Sequence, residues 1–250
     1  MNKHLIITYT IALILFHPSA FAATAVGVDA GSDGFTGWTE NNTSGDSGLN
    51  GRFLGVSGTT MDTSGNSWGF YANSGQTASS YYDLSSALVA GDTVSIQLSL
   101  GFINSGGVVG IGFQNSAGVN RFETYYRGGD ATDAFKINDA GGEENVTGVT
   151  TAYSSSNWIN DSASQTILFT QGAGNTYDLS FNGTSITNLG LNLTNSDISR
   201  IRIFNFNAGN GNNFNQYANN LTVTPVPEPS TAALFLLAGG GLMAFSRRRK

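Results

Sequence analysis

Between residues 23 and 224 several short segments place apolar side chains at every second position, and no segment keeps a helical period beyond two turns. In Thr93, Val94, Ser95, Ile96, Gln97, Leu98, Ser99 and Leu100 the alternation is complete. An extended chain therefore places Val94, Ile96, Leu98 and Leu100 on one face. Val109, Ile111 and Phe113 repeat the pattern, as do Tyr177, Leu179 and Phe181, and then Leu221 and Val223. Ile167, Leu168 and Phe169 form a continuous apolar run, which predicts a strand buried on both faces. Over residues 200–207 the phase slips: Ile201 and Ile203 share one face, Phe204 and Phe206 the other. A bulge is the expected cause. Residues 84–89 fit helix and strand equally well.

Punctuation supports the same class. The four prolines are Pro18, Pro225, Pro227 and Pro229, so residues 23–224 contain none. Their turns must come from the abundant Gly, Asn, Ser and Thr, separated by β-branched and aromatic residues. About ten short strands of this kind predict an all-β fold, an antiparallel two-sheet β-sandwich or jelly roll. A β-solenoid would need coils of fixed length, and the sequence has no such period.

Composition removes whole classes of chemistry. The two histidines are His4 and His17, and there is no cysteine. The region 23–224 therefore lacks Ser-His-Asp and Cys-His nucleophiles, zinc sites built on His or Cys, haem ligation and disulfides. It holds 6 Lys and Arg against 16 Asp and Glu, a formal charge of −10. So acidic a surface repels nucleic acid and anionic membrane, and no nucleic-acid partner is expected.

Both ends carry address signals. Lys3, an apolar stretch over residues 5–16 and the small-x-small Ala20-Phe21-Ala22 predict a secretory signal peptide over residues 1–22, cut between Ala22 and Ala23. At the other end Pro225-Val226-Pro227-Glu228-Pro229-Ser230 precedes an apolar run over residues 231–245 and the cations Arg247, Arg248, Arg249 and Lys250. The prolines keep the box extended. About 15 residues at 1.5 Å each give a helix of about 22 Å, short of the about 30 Å hydrocarbon core. Such a helix suits a transient inner-membrane stop, with the terminal cations holding its end on the cytoplasmic side.

These three parts in this order resemble the PEP-CTERM sorting signal. The resemblance implies that an exosortase-type membrane protease or transpeptidase recognises Pro227, Glu228 and Pro229 and delivers the protein to the cell surface or extracellular matrix. An ordinary single-span anchor behind a proline-rich linker is the alternative. Residues 23–224 more loosely resemble concanavalin-like or laminin-G-like jelly rolls. The likeness rests on Gly34-Phe35-Thr36-Gly37-Trp38, Gly91-Asp92-Thr93-Val94, Gly110-Ile111-Gly112-Phe113 and Tyr217-Ala218-Asn219-Asn220-Leu221-Thr222-Val223. That resemblance implies a sandwich of a type used for carbohydrate or cell-surface contacts.

Catalysis, if any, would fall to carboxylates. Retaining glycosidases of this fold need two about 5–5.5 Å apart, in a Glu-x-Asp-x-x-Glu strand motif. Glu40, Glu123, Glu143 and Glu144 do not have that spacing, and Glu143-Glu144 read as a solvated loop. No catalytic residue is assigned. Asp130, Asp133 and Asp139 lie in Gly-rich loops and are candidate calcium ligands, since Ca²⁺ takes hard oxygen donors; no other cofactor is expected. Trp38, Trp68 and Trp158, with Tyr81, Tyr82, Tyr125 and Tyr126, could stack on sugar rings wherever they are exposed. Tyr125 and Tyr126 must project to opposite faces of a strand. The expected function is a non-enzymatic structural or adhesive exoprotein, with a lectin-like module recognising exopolysaccharide as the alternative.

Overall fold

The computed structural model describes residues 23–42, 48–130, 135–146, 164–193 and 197–226. Its strands are β1 (Val26–Val28), β2 (Trp38–Glu40), β3 (Asn50–Gly55), β4 (Ser67–Ala72) and β5 (Thr77–Asp83). Then follow β6 (Thr93–Leu100), β7 (Val108–Gln114), β8 (Asn120–Arg127), β9 (Phe135–Asp139) and β10 (Gly142–Asn145). The last are β11 (Gln165–Gln171), β12 (Thr176–Phe181), β13 (Thr184–Gly190), β14 (Arg200–Phe206) and β15 (Gln216–Thr224). They form two antiparallel sheets. One has the order β13-β12-β11-β6-β15-β4-β3, with β1 also paired to β15; the other runs β10-β9-β8-β7-β14-β5-β2. The only helical element among the described residues is the 3₁₀ turn Asn212–Phe214.

Two-residue periodicity builds the core between the sheets. Val94, Ile96, Leu98 and Leu100 all point inward from β6, and Val109, Ile111 and Phe113 meet them from β7. Four rings form the central stack. Phe113 lies 4.5 Å from Phe122 and 4.6 Å from Phe169, and Phe122 lies 4.4 Å from Tyr177. Burying each such side chain is worth roughly 1.5–3 kcal/mol. Near one edge Arg52 of β3 and Glu40 of β2 approach to 3.5 Å and bridge the sheets. Near the other, the Tyr177 hydroxyl donates to Asp139 at 2.9 Å.

Three expectations are corrected. Leu168 is 39% exposed while Ile167 and Phe169 are buried, so β11 is covered on one face only. A two-layer sandwich leaves the outer face of each sheet to solvent. β14 keeps unbroken register with both β5 and β7 and carries no bulge. Its inward series is Ile201, Ile203 and Asn205, and the buried amide of Asn205 donates to the Phe70 carbonyl at 3.1 Å. A polar residue in the core, set against outward phenylalanines, imitated a phase slip. Residues 84–89 are neither helix nor strand; Leu84 and Leu88 instead donate their N–H groups to Ser199 and Ile198.

A true irregularity lies in β15, whose register with β6 shifts between Asn219 and Thr222 and where Asn220 takes a positive φ of 54°. Asn219, fully buried, donates to the Met61 carbonyl at 2.7 Å and accepts from the Ala30 N–H at 2.7 Å. Among the described residues no helix is long and apolar enough to cross a membrane; the run over residues 231–245 lies outside them.

Candidate functional site

The residues of the seven-stranded sheet that point away from the core are unlike the rest of the surface. Strand alternation sends Glu123, Tyr125 and Arg127 outward from β8, and Arg200, Arg202, Phe204 and Phe206 outward from β14. Between them on β7 lie Gly110 and Gly112, in register with Tyr125 and Glu123. A Cβ on Gly110 would stand 2.1 Å from the Thr124 carbonyl oxygen and 2.5 Å from the Tyr125 Cβ. Glycine is thus required for the tyrosine to lean across the strand. Tyr81 and Asp83 of β5 flank β14, and Lys136, Glu143 and Asn145 extend the face over β9 and β10.

Opposite charges are matched across this face. Arg200 Nε lies 2.6 Å from Asp83 Oδ1, and its guanidinium sits 3.8 Å from the Tyr81 ring centroid. Arg202 is 3.7 Å from Glu123 and 4.9 Å from the Phe204 ring centroid. Arg127 grips Glu143 through two nitrogens, one at 2.6 Å. The Tyr125 hydroxyl adds a bond to the same carboxylate at 2.5 Å. Lys136 pairs with Asp130 at 2.8 Å and also donates to Asn145. Four of the six cations of residues 23–224 therefore lie on one face.

The titration of these groups follows their surroundings. Burial pushes the Glu123 carboxyl up, with Arg202 opposing the shift. Burial likewise lowers Arg202, with Glu123 opposing. The Arg127 hydrogen bond, then that of Tyr125, holds Glu143 below the ordinary glutamate range. Burial first, and then Glu143, drives the Tyr125 phenol far up, so it acts as a donor. Arg202 Nε is a buried donor without a partner among the described residues. Planar cations, aromatic rings and a flat floor can together stack a ring and hydrogen-bond its hydroxyls.

Only part of this was expected. Tyr125 and Tyr126 do project oppositely, but Tyr125 is only 5% exposed and Tyr126 not at all, so neither ring is an open platform, whereas Tyr81 lies half-buried on the outer face. Trp38 and Trp68 are buried against each other, ring centroids 4.9 Å apart, and Tyr82 packs on Trp38, so none of these three is a platform. Trp158 lies outside the described residues. Glu143 and Glu144 belong to β10 instead of a loop, and Glu143 joins the face. Of the calcium candidates, Asp130 is paired with Lys136, while Asp139 accepts from Tyr177 and from the Gly141 N–H. Asp133 lies outside the described residues. Among those described, no three His, Cys, Asp or Glu residues group to hold a metal. Ala22, Pro227, Glu228, Pro229, Arg247, Arg248, Arg249 and Lys250 also lie outside them, whereas Ala23 is described and buried. Composition and spacing alone do not single out the arginines. The alternation Arg200, Arg202, Phe204, Phe206 was the available signal, set in phase with Glu123, Tyr125 and Arg127.

Residues 225–250 match the family model of the PEP-CTERM protein-sorting motif. The motif implies export and processing by an exosortase. No curated protein matches the chain in sequence. Among solved structures, the T. cruzi calreticulin globular domain is similar at 8% identity and a TM-score of 0.50, covering 90% of this chain and 95% of that one. The cellulose induced protein Cip1 gives 15% identity and a TM-score of 0.45 over 76% of this chain and 92% of that one. A family 16 endo-glucanase from Bacteroides ovatus gives 10% and 0.45, over 75% and 94%. The chain thus combines a two-sheet jelly-roll fold with a PEP-CTERM sorting motif at residues 225–250.

Proposed function

We propose that this is an exported, non-enzymatic adhesive exoprotein, cut after Ala22 and at the Pro227, Glu228 and Pro229 box, that holds extracellular polysaccharide on the outer face of its seven-stranded sheet. One observation carries the reading: in a region of net charge −10, four of six cations gather on that face, beside aromatic rings. Dispersed cations would serve solubility equally well. Three of the four, Arg200 and Arg202 along β14 and Arg127 on β8, offer planar donors along neighbouring strands, which suits a linear glycan with a hydroxyl or carboxylate on each sugar.

The face is read as binding without cutting. Both oxygens of Glu143 accept hydrogen bonds from Arg127 and Tyr125, and Glu123 faces Arg202. Each carboxylate answers to its own cation, whereas glycoside hydrolysis needs two that share a substrate. Affinity electrophoresis of the exported protein through gels of neutral and acidic polysaccharides tests this reading. Retardation that Arg202→Ala abolishes is expected. Unretarded migration through every glycan would instead favour a purely structural role.

A further inference from the structure

Asp92, one residue before β6, has no exposed surface, and among the described residues no cation lies within ion-pair reach of it. A buried carboxylate without a countercharge is costly. Its partners are three main-chain N–H groups. Val89 donates to Oδ2 at 3.0 Å, closing a turn in which Gly91 takes a φ of +94° and the Asp92 N–H returns to the Val89 carbonyl. Val226 donates to Oδ1 at 2.9 Å. A Cβ on Gly91 would stand 2.4 Å from the Val226 Cγ2, so only glycine lets that residue settle here. The third donor is the main-chain nitrogen of Ala23, 3.2 Å from Oδ2, on a residue only 4% exposed.

That nitrogen is the one a leader cut after Ala22 would free. We propose that Asp92 is the receptor for the mature N-terminus. Hydrolysis of the peptide bond between Ala22 and Ala23 consumes one water, leaves a carboxylate on Ala22 and gives Ala23 a protonated amine. The cation that Asp92 lacks is thereby created in place. The same carboxylate holds Val226, one residue ahead of Pro227, so maturation at the first strand tightens the chain just before the sorting box. The inference rests on the Ala22 cleavage of the proposed function.

Two measurements separate it from that reading. Mass spectrometry of the exported protein first locates the mature terminus. Hydrogen exchange is then compared between chains spanning residues 23–250 in detergent micelles, one with a free Ala23 amine and one N-acetylated. Exchange at the Val226 and Val89 amides should be about tenfold slower with the free amine, as expected where a hydrogen bond from a neutral N–H to the carboxylate gives way to an ion pair. Asp92→Asn should erase the difference, and if that variant fails to fold the acetylated comparison decides alone. A mature terminus elsewhere removes the cation and overturns both the cleavage reading and the receptor. A terminus at Ala23 with equal exchange rates overturns the receptor only.

Discussion

The two outer faces of the sandwich are made by the same alternation yet carry different chemistry. On the eight-stranded sheet, β6 turns Thr93, Ser95, Gln97 and Ser99 outward, and β11 turns out Thr166, Leu168 and Thr170. Its aromatic cluster of Phe53, Tyr71 and Tyr217 has no cation against it among the described residues. The seven-stranded sheet places arginines on tyrosine and phenylalanine and answers each with a carboxylate. A neutral hydroxyl face satisfies a sheet at little cost, because water supplies its hydrogen bonds. Arranging charges in pairs loses side-chain entropy and gains little stability. The difference is in keeping with the recognition proposed for the second face.

Replacing a residue on each face tests that contrast. Arg202→Ala leaves Glu123, largely buried, without its cation, and should cost about 2 kcal/mol in urea unfolding; Ser95→Ala should stay within about 0.5 kcal/mol. Equal effects would erase the distinction. Next in size is ligand retention: Tyr81→Ala should weaken polysaccharide affinity about tenfold through lost stacking, with Ser95→Ala unchanged. Arg127→Ala acts on a partly exposed pair and should cost about 0.5–1 kcal/mol. That cost should shrink in about 1 M salt, where charges are screened within about 3 Å.

The smallest effect is in pH. Because Arg127 and Tyr125 hold the Glu143 carboxyl below its ordinary value, its contribution is complete above the unfolded glutamate pKa and is lost as pH falls through the lowered folded value. The stability gap between the protein and Glu143→Gln should accordingly be constant near about pH 7 and close toward about pH 3. A gap that widens in acid would contradict the assigned pairing.

Much of the scaffold was legible because it depends on a period of two that the central core strands keep. Val94 to Leu100, Val109 to Phe113 and Tyr177 to Phe181 all lie where alternation puts them. β14 departs from its sequence pattern for a physical reason. Asn205 is buried with its amide nitrogen bonded to the Phe70 carbonyl, and Phe204 is covered although it faces outward, so hydrophobicity and direction disagree there. The candidate face was hidden for a related reason. Arg202 and Glu123 come from strands separated by β7, 79 positions apart in sequence, and only sheet order brings them together. The Asn219 knot was invisible too, since an amide holding distant loops reads like any other turn asparagine.

The position of β15 has a consequence for how such a chain assembles. It is the last strand in sequence among the described residues, yet it lies inside the eight-stranded sheet between β6 and β4, and it also takes up β1. Until it arrives, β6 and β4 present two unpaired edges, each a template for pairing with another copy. A polypeptide threaded outward from its first residue cannot close this sheet during transit. The join is made only after about nine-tenths of the chain has passed, so a polypeptide cut short before residue 216 would emerge as adhesive halves, open to self-association.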